Sequence, residues 1–343
     1  MNRTKLIQQP YLLFLGDAHD QLAAKTAKGI KDWRPEWCIG QIRLENCNAD
    51  AGVPDISIKE ATEKGAKTMV VGVANRGGII PPHWHRPLLE ALDSGMDLAS
   101  GLHMRLGDVI VLKDKAEQRG AKLFDVRHSD LEFPLGSGEK RSGKRLLTVG
   151  SDASVGKMYT TLAIDKEFKR VGLKSSFRAT GQTGIFIAGD GVSVDAIISD
   201  FVSGAAEYLS PPNDIDHWDL VEGQGSLFHP SFAGVTLGLI HGTQPDAIVL
   251  CHEPTRKHMR GLPNWPIPDL DVCLKANLEA ARLTNPNVFC AGVSVNTSGL
   301  DIDTATNILE DISSTLELPC VDPMRDQDSC TFGGISAIVE RLC

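Results

Sequence analysis

The 343-residue sequence has no apolar run approaching the ~18–20 residues of a membrane-spanning helix, so a bilayer-embedded chain is not expected. A secretory leader is not evident either. The start, MNRTKLIQQPYLLFLGDAHD, has two early basic residues, but its apolar stretch runs only from Tyr11 to Leu15, against ~7–15 residues in a signal-peptide core. An excess of positive charge is also missing. The formal net charge is -9, which argues against nonspecific nucleic-acid binding through a basic surface. None of the eight cysteines forms a Cys-x-x-Cys pair, so a structural zinc site has little support. With no leader and no disulfide framework, the chain reads as a cytoplasmic protein with reduced thiols. Cys251 and Cys290 close the apolar runs AIVLC and NVFC, where a thiol packs as a small hydrophobe. No repeat or low-complexity segment breaks the pattern, and 42% hydrophobic with 23% charged residues is ordinary globular composition.

What is present is a long alternation of short apolar runs and helical patterns. The stretch 131–145, LEFPLGSGEKRSGKR, is rich in Gly, Ser and charge and reads as a linker. It separates an N-terminal domain, 1–130, from a C-terminal domain, 146–343. In the first, YLLFLG, TMVVGVA and DVIVLK read as buried strands. Residues 18–31 and PLLEALDSGM read as helices, and AEQRGAKLFDV as a helix followed by a strand. Continuous apolar strands with helices between them predict a parallel sheet covered on both faces, an α/β Rossmann-like fold. The dinucleotide fingerprint is absent, because the turn Gly16-Asp17-Ala18-His19 holds a single glycine. The second domain reads as a doubly wound α/β domain. Its strands are RLLTVG, KSSFRATG, WDLVEGQG, DAIVLCHEP and NVFCAGVSVNT, and its helices TTLAIDKEFKRVG, VDAIISDFVSGAAEYL, LEAARLTN and DTATNILEDISSTLEL, with GVTLGLIHG helical or turn-like. Such sheets bind ligands at the carboxyl ends of their strands.

The sharpest motif is LLTVGSDASVGKMYTT. An apolar strand ends at Gly150, and Gly156 and Lys157 follow at the start of a helix. Backbone N–H groups in such a loop cradle phosphate oxygens, and the helix adds the positive end of its dipole. The expected phosphate-binding set is Gly150, Ser151, Asp152, Ala153, Ser154, Val155, Gly156, Lys157 and Met158. Five residues separate the glycines rather than four, a spacing that resembles dethiobiotin synthetase. Met158 stands where a phosphate loop has the Ser or Thr that ligates Mg²⁺, and a thioether is a poor ligand for that hard ion. No bound metal is therefore expected. Thr160 and Thr161 lie too far along the helix to replace it. The loop suits a phosphate-bearing ligand that does without Mg²⁺, such as coenzyme A.

Other strand ends supply candidate site residues. Arg178, Thr180 and Gln182 lie in FRATGQTG, where an arginine would clamp a substrate carboxylate. Glu222, Gln224 and Ser226 lie in VEGQGS. Glu222 is a candidate metal ligand or general base, with His229 of SLFHP as a second base. His252, Glu253 and Arg256 of CHEPTR are placed to border the ligand. Asp190, Asp195 and Asp200 read as solvated acids near a helix start. His83 and His85, two apart, could share a metal on a strand, but the flanking prolines point to a loop entering a helix.

GSDASVGKMYTT, FRATGQTG, VEGQGSLFHPSFAGVTLGLIHG, PDAIVLCHEPTR and VSVNTS resemble, in order, the P-loop domain of a family long labelled a domain of unknown function. GGIIPPHWHRPLLEALDSGMDLASGLHMRLGD resembles that family's Rossmann-like N-terminal domain. The resemblance covers nearly the whole chain, and Met after the loop lysine fits the family pattern. It implies D-glutamate N-acetyltransferase activity, with acetyl-CoA as donor substrate and an acidic D-amino acid as acceptor. Arg178 would then hold the acceptor, and Glu222 or His229 would deprotonate its ammonium. Direct attack of the amine on the thioester needs no covalent enzyme intermediate. The expected partners are small-molecule substrates and further copies of the chain, as a homodimer or higher oligomer. An Mg-ATP-dependent ligase or kinase of the dethiobiotin synthetase type, or a nucleotide-binding protein without turnover, remain the alternative readings.

Overall fold

The structure is a computed structural model that describes residues 7–75, 77–129, 131–325 and 334–343. Its contacts divide into two compact units. One comprises Met1–Glu132 with Gly181–Ala196, the other Phe133–Thr180 with Ile197–Cys343.

The first unit is built on five parallel strands: β1 (Tyr11–Gly16), β2 (Cys38–Arg43), β3 (Thr68–Val71), β4 (Asp97–Ser100) and β5 (Leu123–Asp125), in the order β2-β1-β3-β4-β5. Every residue of β1 and β3 is buried, as expected for strands covered on both faces. The helices are α1 (Lys25–Trp33), α2 (Ile58–Glu63), α3 (His85–Asp93) and α4 (Ile110–Arg119). The reading of DVIVLK as a strand is corrected. Ile110 and Val111 are 73% and 48% exposed, while Leu112 and Ala116 are buried four residues apart. That is one helical face, and Ile110 and Val111 before it belong to the solvent side. The fourth strand is DLAS, too short and mixed to stand out, and β2 (CIGQIR) was likewise not read from the sequence.

The second unit has a six-stranded parallel sheet. Its strands are β6 (Lys144–Gly150), β7 (Ser175–Arg178), β8 (Trp218–Val221), β9 (Ala247–His252), then β12 (Phe289–Val295) and β13 (Cys320–Val321) after a short antiparallel hairpin, β10 (His258–Met259) and β11 (Leu262–Pro266). The order is β13-β12-β9-β6-β8-β7. The chain adds β7 and β8 on one side of β6 and β9, β12 and β13 on the other. The crevice where the winding reverses therefore opens at the carboxyl end of β6, where such sheets bind ligands. The covering helices are α5 (Lys157–Arg170), α7 (Val202–Leu209), α8 (Ala233–Thr243), α9 (Leu270–Arg282), α10 (Ile302–Leu316) and α11 (Gly334–Glu340). Leu146, Ile164, Phe168, Leu220 and Val249 are among the residues of the core that fixes β6 and α5 together.

The remaining helix, α6 (Gln182–Ala188), belongs to the first unit although it follows β7 in sequence. The Tyr11 hydroxyl donates to Phe186 O at 3.3 Å, and the Gln182 amide to Gly101 O at 3.1 Å. The first unit is thus assembled from two chain segments, the second of which lies within 146–343. The stretch 131–145 carries no regular structure until β6 begins at Lys144.

Candidate functional site

The site grows from the end of β6. Leu146, Leu147 and Val149 are buried in the sheet, which holds the strand's last residue, Gly150, at the carboxyl edge. A Cβ on Gly150 would lie 2.9 Å from Lys157 Nζ and Val155 Cγ2 and 3.0 Å from Asp152 O, so a side chain here would crowd the loop. Ser154 and Gly156 take left-handed backbone angles, φ 55° and 100°. Alternating hand along a loop turns successive N–H groups to one side, which forms a concave anion nest ahead of α5. Lys157, the first residue of α5, is buried, and its ammonium donates to Asp152 O at 2.8 Å. Burial pushes its pKa down to about 8, helped by the nearby Arg256 cation; Cys251, Asp152 and Glu222 oppose that shift.

Arg256, Arg260 and His252 bind the loop from the end of β9 and the segment after it. Asp152 has no exposed surface, and its carboxylate accepts from Arg256 Nη1 and Arg260 N, both at 2.8 Å, and from Ala153 N at 2.7 Å. Arg256 also donates to Ala153 O at 2.6 Å and Ser154 O at 2.9 Å, and its Nε meets Glu253 at 2.6 Å. Arg256 therefore holds the carbonyls of Ala153 and Ser154, while the N–H groups of Ser151 and Ala153 donate to Cys251 O and to the Asp152 carboxylate. The Ser151 hydroxyl shares a 2.9 Å hydrogen bond with His252 Nδ1. Burial pushes that imidazole down to about 4, so near pH 7 it is neutral and adds no charge. Thr160 and Thr161, in the second turn of α5, are occupied by Ser294 and by Thr148 with Lys157 O, and Met158 is half-buried.

The end of β8 forms the opposite wall. Glu222 is buried; one carboxylate oxygen accepts from Thr180 N and the other from Gln224 Nε2, both at 3.0 Å. The Thr180 hydroxyl donates to Glu222 O at 2.6 Å, and Ser226 Oγ donates to Ser151 O at 3.2 Å. Gly223 lets this wall approach, its N–H donating to Thr148 Oγ1 at 2.9 Å.

The structure thus gathers the loop, Thr180, Glu222, Gln224, Ser226, His252, Glu253 and Arg256. Two other expectations, Arg178 and His229, are not met. Arg178 turns back along the sheet to Asp219, a buried carboxylate opposite Ser176, at 2.7–2.8 Å. It neutralises a core acid and has no place at the loop. Arg178→Ala is expected to cost about 1–3 kcal/mol of stability by leaving the buried Asp219 with only the more distant His217, 3.7 Å away, which denaturant unfolding would read. An unchanged unfolding free energy would count against this assignment. Gln182 lies in α6 of the first unit. His229 is buried with both ring nitrogens engaged, Nδ1 accepting from Ser231 N at 3.2 Å and Nε2 donating to Arg260 O at 3.1 Å, so it is not poised as a base. Asp190 and Asp195 lie in the segment shared with the first unit, Asp195 pairing with Arg127 at 2.6 Å, and Asp200 accepts from Ser199 Oγ. His83 bonds to Asp17 at 3.1 Å from a short helical turn ahead of α3. Sequence reasoning missed Arg260, although four basic residues in the five from Arg256 to Arg260 after β9 were there to be seen.

The cysteines in described positions are unpaired, and Cys330 lies outside those residues. Cys251 and Cys290 are buried, and burial pushes both thiols up to about 11, which suits packing rather than nucleophilic attack. No helix among the described residues is long and apolar enough to cross a membrane.

Fold and site together define a two-unit α/β protein, with a Rossmann-like sheet in one unit and a P-loop sheet in the other. Residues 42–129 match the Rossmann-like domain of unknown function DUF1611_N, and residues 134–330 match the DUF1611_C P-loop domain. The chain belongs to the DUF1611 family. It is 54% identical over 320 residues to a protein of Tritonibacter scottomollicae, covering 93% of this chain and 96% of that one. It is 48% identical over 337 residues to a protein of a Pseudoalteromonas species, covering 98% and 99%. Both relatives carry the name D-glutamate N-acetyltransferase. The crystal structure of a DUF1611 family protein from Anabaena variabilis superimposes with a TM-score of 0.84 at 30% identity, covering 97% of this chain and 99% of that one.

Proposed function

We propose that the protein is an N-acetyltransferase that moves the acetyl group of acetyl-CoA to the amino group of D-glutamate. The observation that carries the reaction and the acceptor is the name shared by two relatives, at 54% and 48% identity over nearly the whole chain. The loop supports the donor: coenzyme A brings a pyrophosphate, and the nest with Lys157 offers N–H groups and one buried cation without an oxygen ligand for Mg²⁺ after the lysine. In the step itself the amine lone pair attacks the thioester carbonyl, the C–S bond breaks, and the thiolate leaves. The nitrogen loses a proton, and the departing sulfur gains one. No enzyme acyl intermediate is required.

This placement sets the role of Glu222. An extended pantetheine arm has about 13 bonds between phosphate and sulfur and reaches about 15 Å, so the thioester stands well beyond the loop. Glu222 is at the loop, its charge acts on Lys157, and both of its oxygens already accept hydrogen bonds. We assign it to holding the loop wall, a positioning residue rather than the base for the amine. Glu222→Gln is expected to raise the donor KM several-fold while leaving the pH profile of kcat unmoved. A hundredfold loss of kcat at constant donor KM would make Glu222 the base instead.

The reaction is tested by following thiol release from acetyl-CoA in the metal-free protein with D-glutamate, L-glutamate or no acceptor. Release that depends on D-glutamate and yields the N-acetyl product is the expected result. ADP or phosphate release from Mg-ATP, without thiol release from acetyl-CoA, would overturn the reading.

A further inference from the structure

The protein carries a net charge of -9, yet Arg256-Lys257-His258-Met259-Arg260 places four basic residues in five positions beside the phosphate loop. This segment leads into the β10–β11 hairpin, and three contacts fix it there. Met259 is 3% exposed and anchors β10 in the core. The buried Asp152 carboxylate accepts from Arg256 and from the Arg260 backbone N–H. His229 donates to Arg260 O. Arg260 and Gly261, the latter at φ 78°, form the turn between β10 and β11.

The two arginines are used differently. Arg256 spends its guanidinium on Asp152, Glu253 and two loop carbonyls, so it braces the loop. Arg260 Nη1 touches the Ser154 hydroxyl at the loop's outer lip. Among the described residues, neither the rest of that guanidinium nor the exposed Lys257 ammonium lies within ion-pair distance of a carboxylate. Arg260 thus stands at the loop's lip through Ser154, and the exposed Lys257, three residues before it, adds a second cation to the same segment.

We infer that Arg260 and Lys257 bind the 3′-phosphate of the donor's adenosine while the loop and Lys157 bind its pyrophosphate. The inference rests on the N-acetyltransferase reading. It follows from the chemistry of the two candidate nucleotides. Coenzyme A carries a phosphate on the ribose 3′ oxygen, one sugar away from its pyrophosphate, and ATP carries none. A loop alone would take either; a loop with a second cationic subsite selects the 3′-phosphorylated ligand. Guanidinium suits this role because it offers several N–H donors to one phosphate.

The test is calorimetric titration of the full-length protein with acetyl-CoA and with acetyl-dephospho-CoA, for the wild type and for the double variant Arg260→Ala, Lys257→Ala. The wild type is expected to bind acetyl-CoA about 30-fold more tightly than the dephospho form, the equivalent of one or two charge-assisted contacts. The double variant is expected to bind both donors equally, at the wild-type level for the dephospho form. Two wild-type affinities that agree, with thiol release intact, overturn this inference and leave the acetyltransferase reading standing. A variant that weakens both donors by the same factor also overturns it, since the residues then act on the loop. Binding of neither donor by the wild type overturns the reading and the inference together.

Discussion

Lys157→Met is expected to weaken acetyl-CoA binding by at least about 100-fold, because two or more charge-assisted hydrogen bonds to phosphate are lost from a buried site. Lys157 is 5% exposed, and its ammonium already donates to a loop carbonyl before any ligand arrives. The same burial that places it there pushes its pKa down to about 8. The sign of the pH dependence follows. Below pH 8 the free protein holds the charged lysine and binds the anion fully. Above pH 8 the lysine must first take up a proton, so affinity falls by up to about tenfold per pH unit. A bound phosphate favours the cation, so at pH 9 binding draws a proton from the buffer, and the calorimetric enthalpy then changes with the buffer's ionisation enthalpy. In Lys157→Met this slope and the proton uptake vanish together. A donor Kd independent of both pH and Lys157 would remove the phosphate cradle from the proposed function.

Gly223→Ala is the second large effect. A Cβ on Gly223 would sit 1.6 Å from Thr148 O and 2.7 Å from Thr148 C, both backbone atoms in the central strand, with Lys157 Cδ at 3.1 Å. No rotamer relieves a contact between a Cβ and a backbone carbonyl, so β6 or the segment after β8 must move. The Gly223 N–H bond to Thr148 Oγ1 breaks with it, and Glu222 and Gln224 are carried away from Thr180. The expected cost is about 3 kcal/mol or more, at the upper end of overpacking effects. That corresponds to a drop in Tm of about 6–12 °C for a domain of this size. Donor affinity falls as well, because the displaced wall borders Lys157. A variant that keeps the wild-type Tm and donor affinity would show that the two strands have slack that this structure does not contain.

Much of the molecule was legible in the chain because the signals are local. Each apolar strand of the second unit carries its own burial pattern, and the Gly150-to-Lys157 spacing marks the phosphate loop between a strand and a helix. The ordered motifs by themselves identify the family. Where local pattern and environment disagree, the reading failed. Val109, Ile110 and Val111 look like a strand, but an amphipathic helix presents two of them to solvent. The QTGIFIA segment follows β7 in sequence yet belongs to the first unit through contacts reaching back to Tyr11 and Gly101.

By itself, then, the sequence determined two α/β folds, a phosphate loop without the usual hydroxyl for Mg²⁺, and the strand ends from which a site would be built. Tertiary structure alone decided which side chains use those positions. Arg178, expected to face a substrate, is captured by Asp219 of the neighbouring strand, and His229, expected to take a proton, is held at both nitrogens beneath the hairpin turn. Arg260 reaches the loop only because Asp152, buried 108 positions earlier in the chain, draws its backbone in. Periodicity and motif spacing are properties of short stretches of chain. Which cation meets which buried carboxylate depends on the register of neighbouring strands and on the cost of leaving a buried charge unpaired, and no single stretch of chain contains that information.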